Sequence, residues 1–427
     1  MRNKTLALGL GSNLAVPLQN LRRALSEMKQ ISLFEVLKVS SIYESDALLP
    51  ENATTAWNKK YLNAVVLCRV SDEVSAETIL HEIKQIELRM GRTNDVRWAP
   101  RLIDIDILYW SGEYYESEML QIPHKGLLTR PFALLPLLDI WPDIELQLPL
   151  WAHRWTPEIP FNTAKSKTYF WPKMVGILNI TADSFSDGGK FLNSDSLHKQ
   201  VDKLIADGAE IIDVGAESTR PAAEAVPPYV EFKNLHWALS ALSEIKNPVA
   251  ISLDCRHPEV VARILEAHKI DYLNDVTGFN DPAMQKLLLL SKLPAFVMHS
   301  LGVPPTNEHV LSVNENPCRQ LTQWWQQQSQ LLIELGISSE QLIFDPGIGF
   351  GKTQQQNLYI LHRLEELSPV HHQVMIGHSR KSFLKYFSDR PAAERDLETA
   401  LVTRELNLAY VQYLRVHDVG SQTAALK

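Results

Sequence analysis

From residue 172 onward the chain repeats a single pattern. Short continuous apolar runs stand at 175–180, 211–215, 249–253, 272–273, 295–298, 342–344, 374–376 and 413–416, eight in all. Most intervals between them place apolar residues at helical spacing, as in VDKLIADGAE and PEVVARILEAHK. Continuous apolar strands alternating with helices predict a parallel sheet buried on both faces. Eight such units over about 256 residues predict an α/β fold of the (β/α)8 TIM-barrel type. Residues 1–158 mix periods instead: strands at 5–10, 61–70 and 102–109, with helical spacing at Leu18, Leu21, Leu25 and Met28 and at Leu80, Ile83, Ile86 and Met90. That mixture predicts an α+β domain, an antiparallel sheet with helices of the ferredoxin-like kind. Between them, 141–172 has no sustained period and holds five prolines, which favour extended chain and remove backbone donors. The expected division is therefore 1–158, a linker at 159–171, and 172–427.

Each apolar run of the second domain ends in polar residues: Asn179, Glu217-Ser218-Thr219-Arg220, Asp254, Asn274-Asp275, His299, Asp345, His378-Ser379-Arg380-Lys381 and Arg415 with His417-Asp418. Groups at the C-terminal ends of parallel strands converge on one mouth, where barrel enzymes do their chemistry. Helix caps and turns also favour Asp, Asn and Ser. Eight polar ends in succession, some with Arg and Lys that cannot cap a helix N-terminus, favour a site. DPGIGFGKT is a Gly-rich turn rather than a phosphate loop. Gly347 and Gly351 are separated by three residues, whereas the phosphate-loop pattern needs four.

In the first domain the sharpest feature is RLIDIDIL. Residues two apart on a strand point the same way, so Asp104 and Asp106 form an acidic pair on one face. Like charges side by side are unfavourable without a cation between them, and hard oxygen ligands select Mg²⁺. Arg92, Arg97 and Arg101 lie within ten residues of one another. GLGSN lacks the third glycine of a dinucleotide loop, since Leu14 stands there.

Composition narrows the class. At 45% hydrophobic and 22% charged the chain is globular, and a net charge of −8 gives no field to recruit nucleic acid. No run is long enough to span a membrane and the N-terminus does not read as a signal peptide, so a cytoplasmic location is expected. The three cysteines, Cys68, Cys255 and Cys318, lack CxxC spacing, which argues against a disulfide framework or a zinc site. Cys255 reads as a small buried residue rather than a nucleophile.

The segments VGILNITADSFSDGG, GAEIIDVGAESTRP, ISLDC, LNDVTG, DPGIGFGKT, IGHSRKSFL and LRVHDV together resemble dihydropteroate synthase across nearly all of 172–427. That family condenses a dihydropterin pyrophosphate with p-aminobenzoate. The resemblance implies that Asp254, Asn274, Asp345 and Lys381 hold the pterin edge, and that Thr219, Lys381 and Ser382 line the aminobenzoate pocket. It implies Asn179, Arg415 and His417 at a Mg²⁺–pyrophosphate corner, with Asn179 on the metal. Asp183 and Arg220 sit on two loops that close over the site. Ala182 replaces the family's usual proline, and Ala216 and Ala222 its usual glycines. Sulfonamide-type analogues of p-aminobenzoate are implied as inhibitors, and a homodimer through the barrel domain as the assembly.

LGLGSNL, SSIY, KKYLNAV, IELRMGR, RWAPRLIDIDIL, IPHKGLLTRPFALLPL and WPD resemble 6-hydroxymethyl-7,8-dihydropterin pyrophosphokinase over about 4–150. That family moves pyrophosphate from ATP to the pterin hydroxymethyl group and releases AMP. The resemblance implies two Mg²⁺ with ATP on Asp104 and Asp106. It puts Arg92, Arg97, Arg101, His124 and Arg130 around the phosphates and Glu87 on the nucleotide side. Tyr61 and Phe132 would stack on the pterin, and Asn63 would bond its edge. The family's second arginine after Gly91-Arg92 is absent; Thr93-Asn94 stand there, and Ser45-Asp46 replaces a common Thr-Pro. Two other readings compete. Pterin-binding methyltransferase barrels share the Asp–Asn–Asp pattern, but GHSRKSFL and STRP supply a pyrophosphate site that methyl transfer does not need. In the other, the first domain is a catalytically dead pterin-binding or scaffolding module; the retained Asp104 and Asp106 argue against it and the missing arginine argues for it.

Overall fold

The computed structural model describes residues 3–92, 98–154, 159–180, 193–217, 226–245, 249–306, 309–367 and 372–427. Arg97, Asp183, Thr219 and Arg220, all expected in the sites, lie outside the described residues. The chain divides into two compact units, Met1–Trp171 and Pro172–Leu426.

The first unit is built from β1 (Asn3–Ser12), α1 (Pro17–Met28), β2 (Phe34–Val39), β3 (Tyr43–Ser45), β4 (Tyr61–Ser71), α2 (Ala76–Arg89) and β5 (Asp104–Trp110). A short hairpin of β6 (Tyr115–Glu116) and β7 (Gln121–Ile122), then α3 (Pro131–Ile140) and β8 (Ala164–Lys165), complete it. The sheet order is β5-β1-β4-β3-β8, with β2 also on β4, and the pairings of β1, β4 and β5 are antiparallel. Two βαβ-type passages interleaved this way give the α+β, ferredoxin-like arrangement. One face carries Ala7, Val65, Leu67 and Leu108 against Leu134 and Leu137 of α3. Leu6 and Leu8, which alternate with Ala7, are equally buried, so the opposite face is covered too. Leu21, Leu25 and Met28 of α1, and Ile79, Ile83 and Ile86 of α2, are the buried stripes that cover it.

The stretch 159–171, expected as linker, is structured and belongs to this unit. β8 pairs with β3, Ile159 packs on Tyr43 and Leu135, and the Trp171 indole N–H donates to the Ser40 carbonyl (2.7 Å). The prolines of 141–172 broke the periodicity without freeing this stretch, because an edge strand needs few residues and few donors.

The second unit is a closed barrel of eight parallel strands. In chain order these are β9 (Lys173–Asn179), α4 (Ser194–Ala206), β10 (Ile211–Gly215), α5 (Pro228–Leu242), β11 (Ala250–Asp254), α6 (Pro258–Ala267), β12 (Tyr272–Asp275), α7 (Pro282–Ser291) and β13 (Ala295–Met298). Then come α8 (Pro317–Glu334), β14 (Leu342–Asp345), α9 (Gln354–His362), β15 (Gln373–Ile376), α10 (Asp396–Glu405), β16 (Tyr413–Val416) and α11 (Val419–Ala425). Four of the helices, α5 to α8, begin on proline, where the missing N–H would have had no partner anyway.

One residue from every strand plugs the barrel: Val175, Ile211, Ala250, Tyr272, Phe296, Ile343, Met375 and Tyr413. Tyr272 stacks on Phe296 at 5.4 Å and Tyr413 meets Phe296 edge-on at 5.2 Å. Two residues further along, the period of a strand turns the next side chain inward again. Those positions are Asp213, Asn274, Asp345 and Arg415, with Asp254 and Asn179 four residues beyond their plug residues. The polar mouth thus stands directly above an apolar floor.

Candidate functional sites

In the first unit a cavity of about 280 Å³, near the lower end of small-molecule sites, gathers most of the expected residues. Tyr61, Asn63, Arg101, Asp104, Asp106, His124, Arg130 and Phe132 all line it. Strand β5 buries Ile105 and Ile107 and turns Asp104 and Asp106 to the other side. Arg92 Nη1 donates to Asp104 Oδ1 (2.8 Å) and Arg101 Nη1 to Asp104 Oδ2 (2.6 Å). Burial would raise the Asp104 pKa, but Arg101 and Arg92 overcome it and hold the carboxyl below its usual value. Asp106 is pushed up to about 6 by burial and by Asp104 beside it. One carboxylate is thus neutralised by arginine and its neighbour forms no ion pair among the described residues, a donor set that fits a hard divalent ion.

The GSN of GLGSN buttresses this strand. Ser12 Oγ donates to the Leu102 carbonyl (2.6 Å), and the Arg101 N–H donates to Asn13 Oδ1 (2.8 Å). Glu87, expected on the nucleotide side, is not brought into the cavity. Only 2% exposed, it accepts from the Ile105 N–H (2.7 Å) and pairs with Arg92 and Lys84, so it supports the acidic strand from behind. His124 Nδ1 accepts from the Gly126 N–H (3.0 Å), and burial with Arg130 nearby lowers its pKa. Leu48, Leu49 and Trp98 also line the cavity. Sequence reading missed them, because no periodicity marks them. Trp98 holds a positive φ of 76°, a strained geometry common at functional sites.

At the barrel mouth one guanidinium organises three strands. Arg415 donates from Nε to Asp213 Oδ2 and from Nη2 to Asp254 Oδ2, each at 2.6 Å. Asn274 Nδ2 donates to Asp213 Oδ2 at 3.0 Å. Burial pushes Asp254 up to about 7; Arg415 opposes the rise and Asp213 adds to it. Asp345 is also raised by burial, tempered by the Gly347 N–H that donates to its Oδ1 (2.7 Å). Lys381 Nζ sits 4.1 Å over the Phe350 ring, and Ser382 beside it is exposed. The Ser379 hydroxyl oxygen meets His417 Nδ1 at 3.0 Å and accepts its backbone N–H at 3.2 Å. Asp213 was not singled out from sequence, and Ser379 was named only as one of the polar strand ends. The available signal for Asp213 was an acid inside the apolar run IIDVG, where it is fully buried.

Not every polar strand end reaches the mouth. Asp275 accepts from the N–H groups of Thr277 and Phe279 in its own turn, and Asp418 caps α11 through Ser421. Arg380 turns to Asp396 with two bonds of 2.7 Å. His378 is buried against Thr399 and Thr403. The Gly-rich turn behaves as expected: Gly347 has φ +64°, and a Cβ there would lie 1.9 Å from the His299 carbonyl. Lys352 locks the turn by donating to the carbonyls of Gly347 and Phe350 and to His299 Nδ1, each at 2.9 Å. Burial, with Lys352 adjacent, drives the His299 pKa down to about 2.

An acidic pair with arginines in one unit and a carboxylate–amide–arginine mouth at the C-terminal end of a barrel in the other mark two enzyme sites. The family model for 7,8-dihydro-6-hydroxymethylpterin-pyrophosphokinase matches residues 7–142, and that for pterin binding enzyme matches residues 175–417. A folate synthesis bifunctional protein of Chlamydia caviae is 32% identical over 439 residues, covering 99% of this chain and 96% of that one. The barrel aligns with a dihydropteroate synthase of Yersinia pestis solved with a sulfonamide drug complex, at TM-score 0.55 and 29% identity over 60% of this chain and 92% of that one. It aligns likewise with the synthase of Anaplasma phagocytophilum carrying 6-hydroxymethylpterin-monophosphate, at TM-score 0.54 and 30% identity over 60% and 97%. The chain belongs to the bifunctional folate-synthesis family, a pterin pyrophosphokinase joined to a dihydropteroate synthase.

Proposed function

We propose that the two sites divide the chemistry between a kinase step and a condensation. In the first unit ATP passes pyrophosphate to the hydroxymethyl oxygen of 6-hydroxymethyl-7,8-dihydropterin and leaves as AMP. Tyr61 and Phe132 hold the pterin ring by its faces, and Asn63 bonds its edge. Asp104 and Asp106 would hold two Mg²⁺, whose charge would offset that building on the transferring phosphoryl group. Arg92 and Arg101 exchange part of their hold on Asp104 for phosphate oxygens once a cation arrives, and Arg97, His124 and Arg130 bind the rest.

In the barrel the pterin pyrophosphate meets p-aminobenzoate and gives 7,8-dihydropteroate and pyrophosphate. Asp254, Asn274, Asp345 and Lys381 read the pterin edge. Asn179 would hold one Mg²⁺ on the pyrophosphate, whose departing charge Arg415 and His417 offset. Thr219, Lys381 and Ser382 receive the aminobenzoate, and the loops bearing Asp183 and Arg220 exclude water. Sulfonamides would compete there, as the Yersinia complex supports. Copies would pair through the barrel, where Tyr386, Phe387, Leu397 and Leu401 are exposed. A reducing cytoplasm suits the three free, buried cysteines.

The observation that carries this reading is the barrel mouth, where one arginine orders carboxylates from separate strands beside Lys381. The test supplies hydroxymethyldihydropterin, ATP, Mg²⁺ and p-aminobenzoate and tracks AMP and dihydropteroate together. AMP without dihydropteroate defeats the synthase assignment. Dihydropteroate formed only from pre-pyrophosphorylated pterin defeats the kinase.

A further inference from the structure

We propose that Glu231, Cys255 and His257 form a metal site of their own, for one divalent ion of the zinc type, on the rim of the barrel. Cys255 is the first residue after β11, His257 caps the N-terminus of α6, and Glu231 lies in the first turn of α5. Their ligand atoms all fall within 4.8 Å of one another. His257 Nδ1 is 2.7 Å from Glu231 Oε2.

The second observation is an orphan. Glu231 is fully buried, and its other oxygen, Oε1, has no hydrogen-bond partner among the described residues. A buried carboxylate oxygen without a donor is costly. The thiol of Cys255, 4% exposed, makes a long contact of 3.8 Å with the His257 carbonyl. A thiol, an imidazole and a carboxylate around one point are rich in lone pairs. Burial raises the pKa of both Glu231 and Cys255, so the protons they keep are those a metal would displace on binding.

The donor set selects the ion. Sulfur and nitrogen ligands favour Zn²⁺ over Mg²⁺, which takes oxygen. Zinc bonds of about 2.0–2.3 Å give tetrahedral edges of roughly 3.3–3.6 Å. The His257–Glu231 pair must open slightly and the thiol must close, both within side-chain rotation. Glu217 is held by Arg256 through bonds of 2.7 and 2.9 Å, so among the described residues the cluster supplies three ligands. The ion would enter at His257, whose side chain is 19% exposed. The consequence reaches the synthase site: Cys255 directly follows Asp254, and its N–H donates to the Asn274 carbonyl (3.1 Å). Metal there would brace the strand ends that carry two pterin ligands.

Full-length protein, reduced and stripped with chelator, would be held in excess Mg²⁺ to occupy the acidic pair of the first unit, then titrated with Co²⁺. The expected result is a cobalt–thiolate charge-transfer band saturating at about one equivalent and displaced by Zn²⁺. Cys255→Ser should abolish the band, and His257→Gln should weaken Co²⁺ binding at least about tenfold. Metal-free thermal unfolding of each variant checks that the fold is intact. If the serine variant does not fold, the glutamine variant decides alone. No band in the parent, a band that survives Cys255→Ser through Cys68 or Cys318, or unchanged affinity in His257→Gln would each overturn the site.

Discussion

Both units set carboxylates against arginine, but they assemble them differently. In the first unit Asp104 and Asp106 come from one strand, two residues apart, and two arginines saturate one of them. In the barrel Asp213 and Asp254 come from neighbouring strands and share one arginine from a third. The first arrangement leaves Asp106 at the cavity wall with no ion pair among the described residues. The second leaves a carboxyl near neutrality, pushed up to about 7, where it can exchange protons and hydrogen bonds with a ligand. Similar side chains make a one-strand acidic pair in one place and a cluster around a shared arginine in the other, because strand periodicity fixes the first and barrel closure the second.

The largest expected effect tests whether the two seats are independent. Asp104→Asn should lower AMP formation by roughly 10²–10³-fold while dihydropteroate formation from pre-pyrophosphorylated pterin stays unchanged. Lys381→Ala should do the reverse, with a loss of roughly 10²-fold in the synthase half. Either variant losing both activities would break the comparison. Next comes stability. Asp213→Ala strips Arg415 and Asn274 of a shared, fully buried acceptor, and denaturant unfolding should show the barrel weakened by roughly 3 kcal/mol. A change near zero would mean that Arg415 is satisfied by Asp254 alone.

The smallest effect is in pH dependence. The folded pKa of Asp254 is raised, so between about 4 and about 7 the native state keeps a proton that the unfolded chain has lost. This group's contribution to stability therefore falls as pH rises through that window. Ring N–H donors of a pterin need the ionised carboxylate. Calorimetric pterin affinity at the barrel should rise with pH, by up to about tenfold per unit, and level off near pH 7. Asp254→Asn should flatten the profile; a slope that persists would assign the titration elsewhere.

Some of this was legible in the sequence because it depends on neighbours along the chain. The acidic pair is read from a period of two, and the Gly347 turn from a glycine where nothing larger fits. Other parts were hidden for a physical reason. Asp213 looks like a lone acid in an apolar run until barrel closure brings Arg415, 202 residues away, against it. Asp275, Arg380 and Asp418 look like mouth residues by their positions, yet local turns and helix partners claim them. Glu87 sits four positions from Ile83 on the buried stripe of α2, and only packing shows that it supports β5. Glu231 carried no signal of its own, because Cys255 and His257 reach it across helices.

The sequence alone determined two units, eight strands with polar ends, and an acid pair on one face, since each comes from side-chain periodicity. Tertiary structure decided which polar ends share a partner, which are spent on caps, and which carboxyls stay charged. Those outcomes depend on burial and on contacts between strands far apart in the chain, where the cost of an unpaired charge selects the partner.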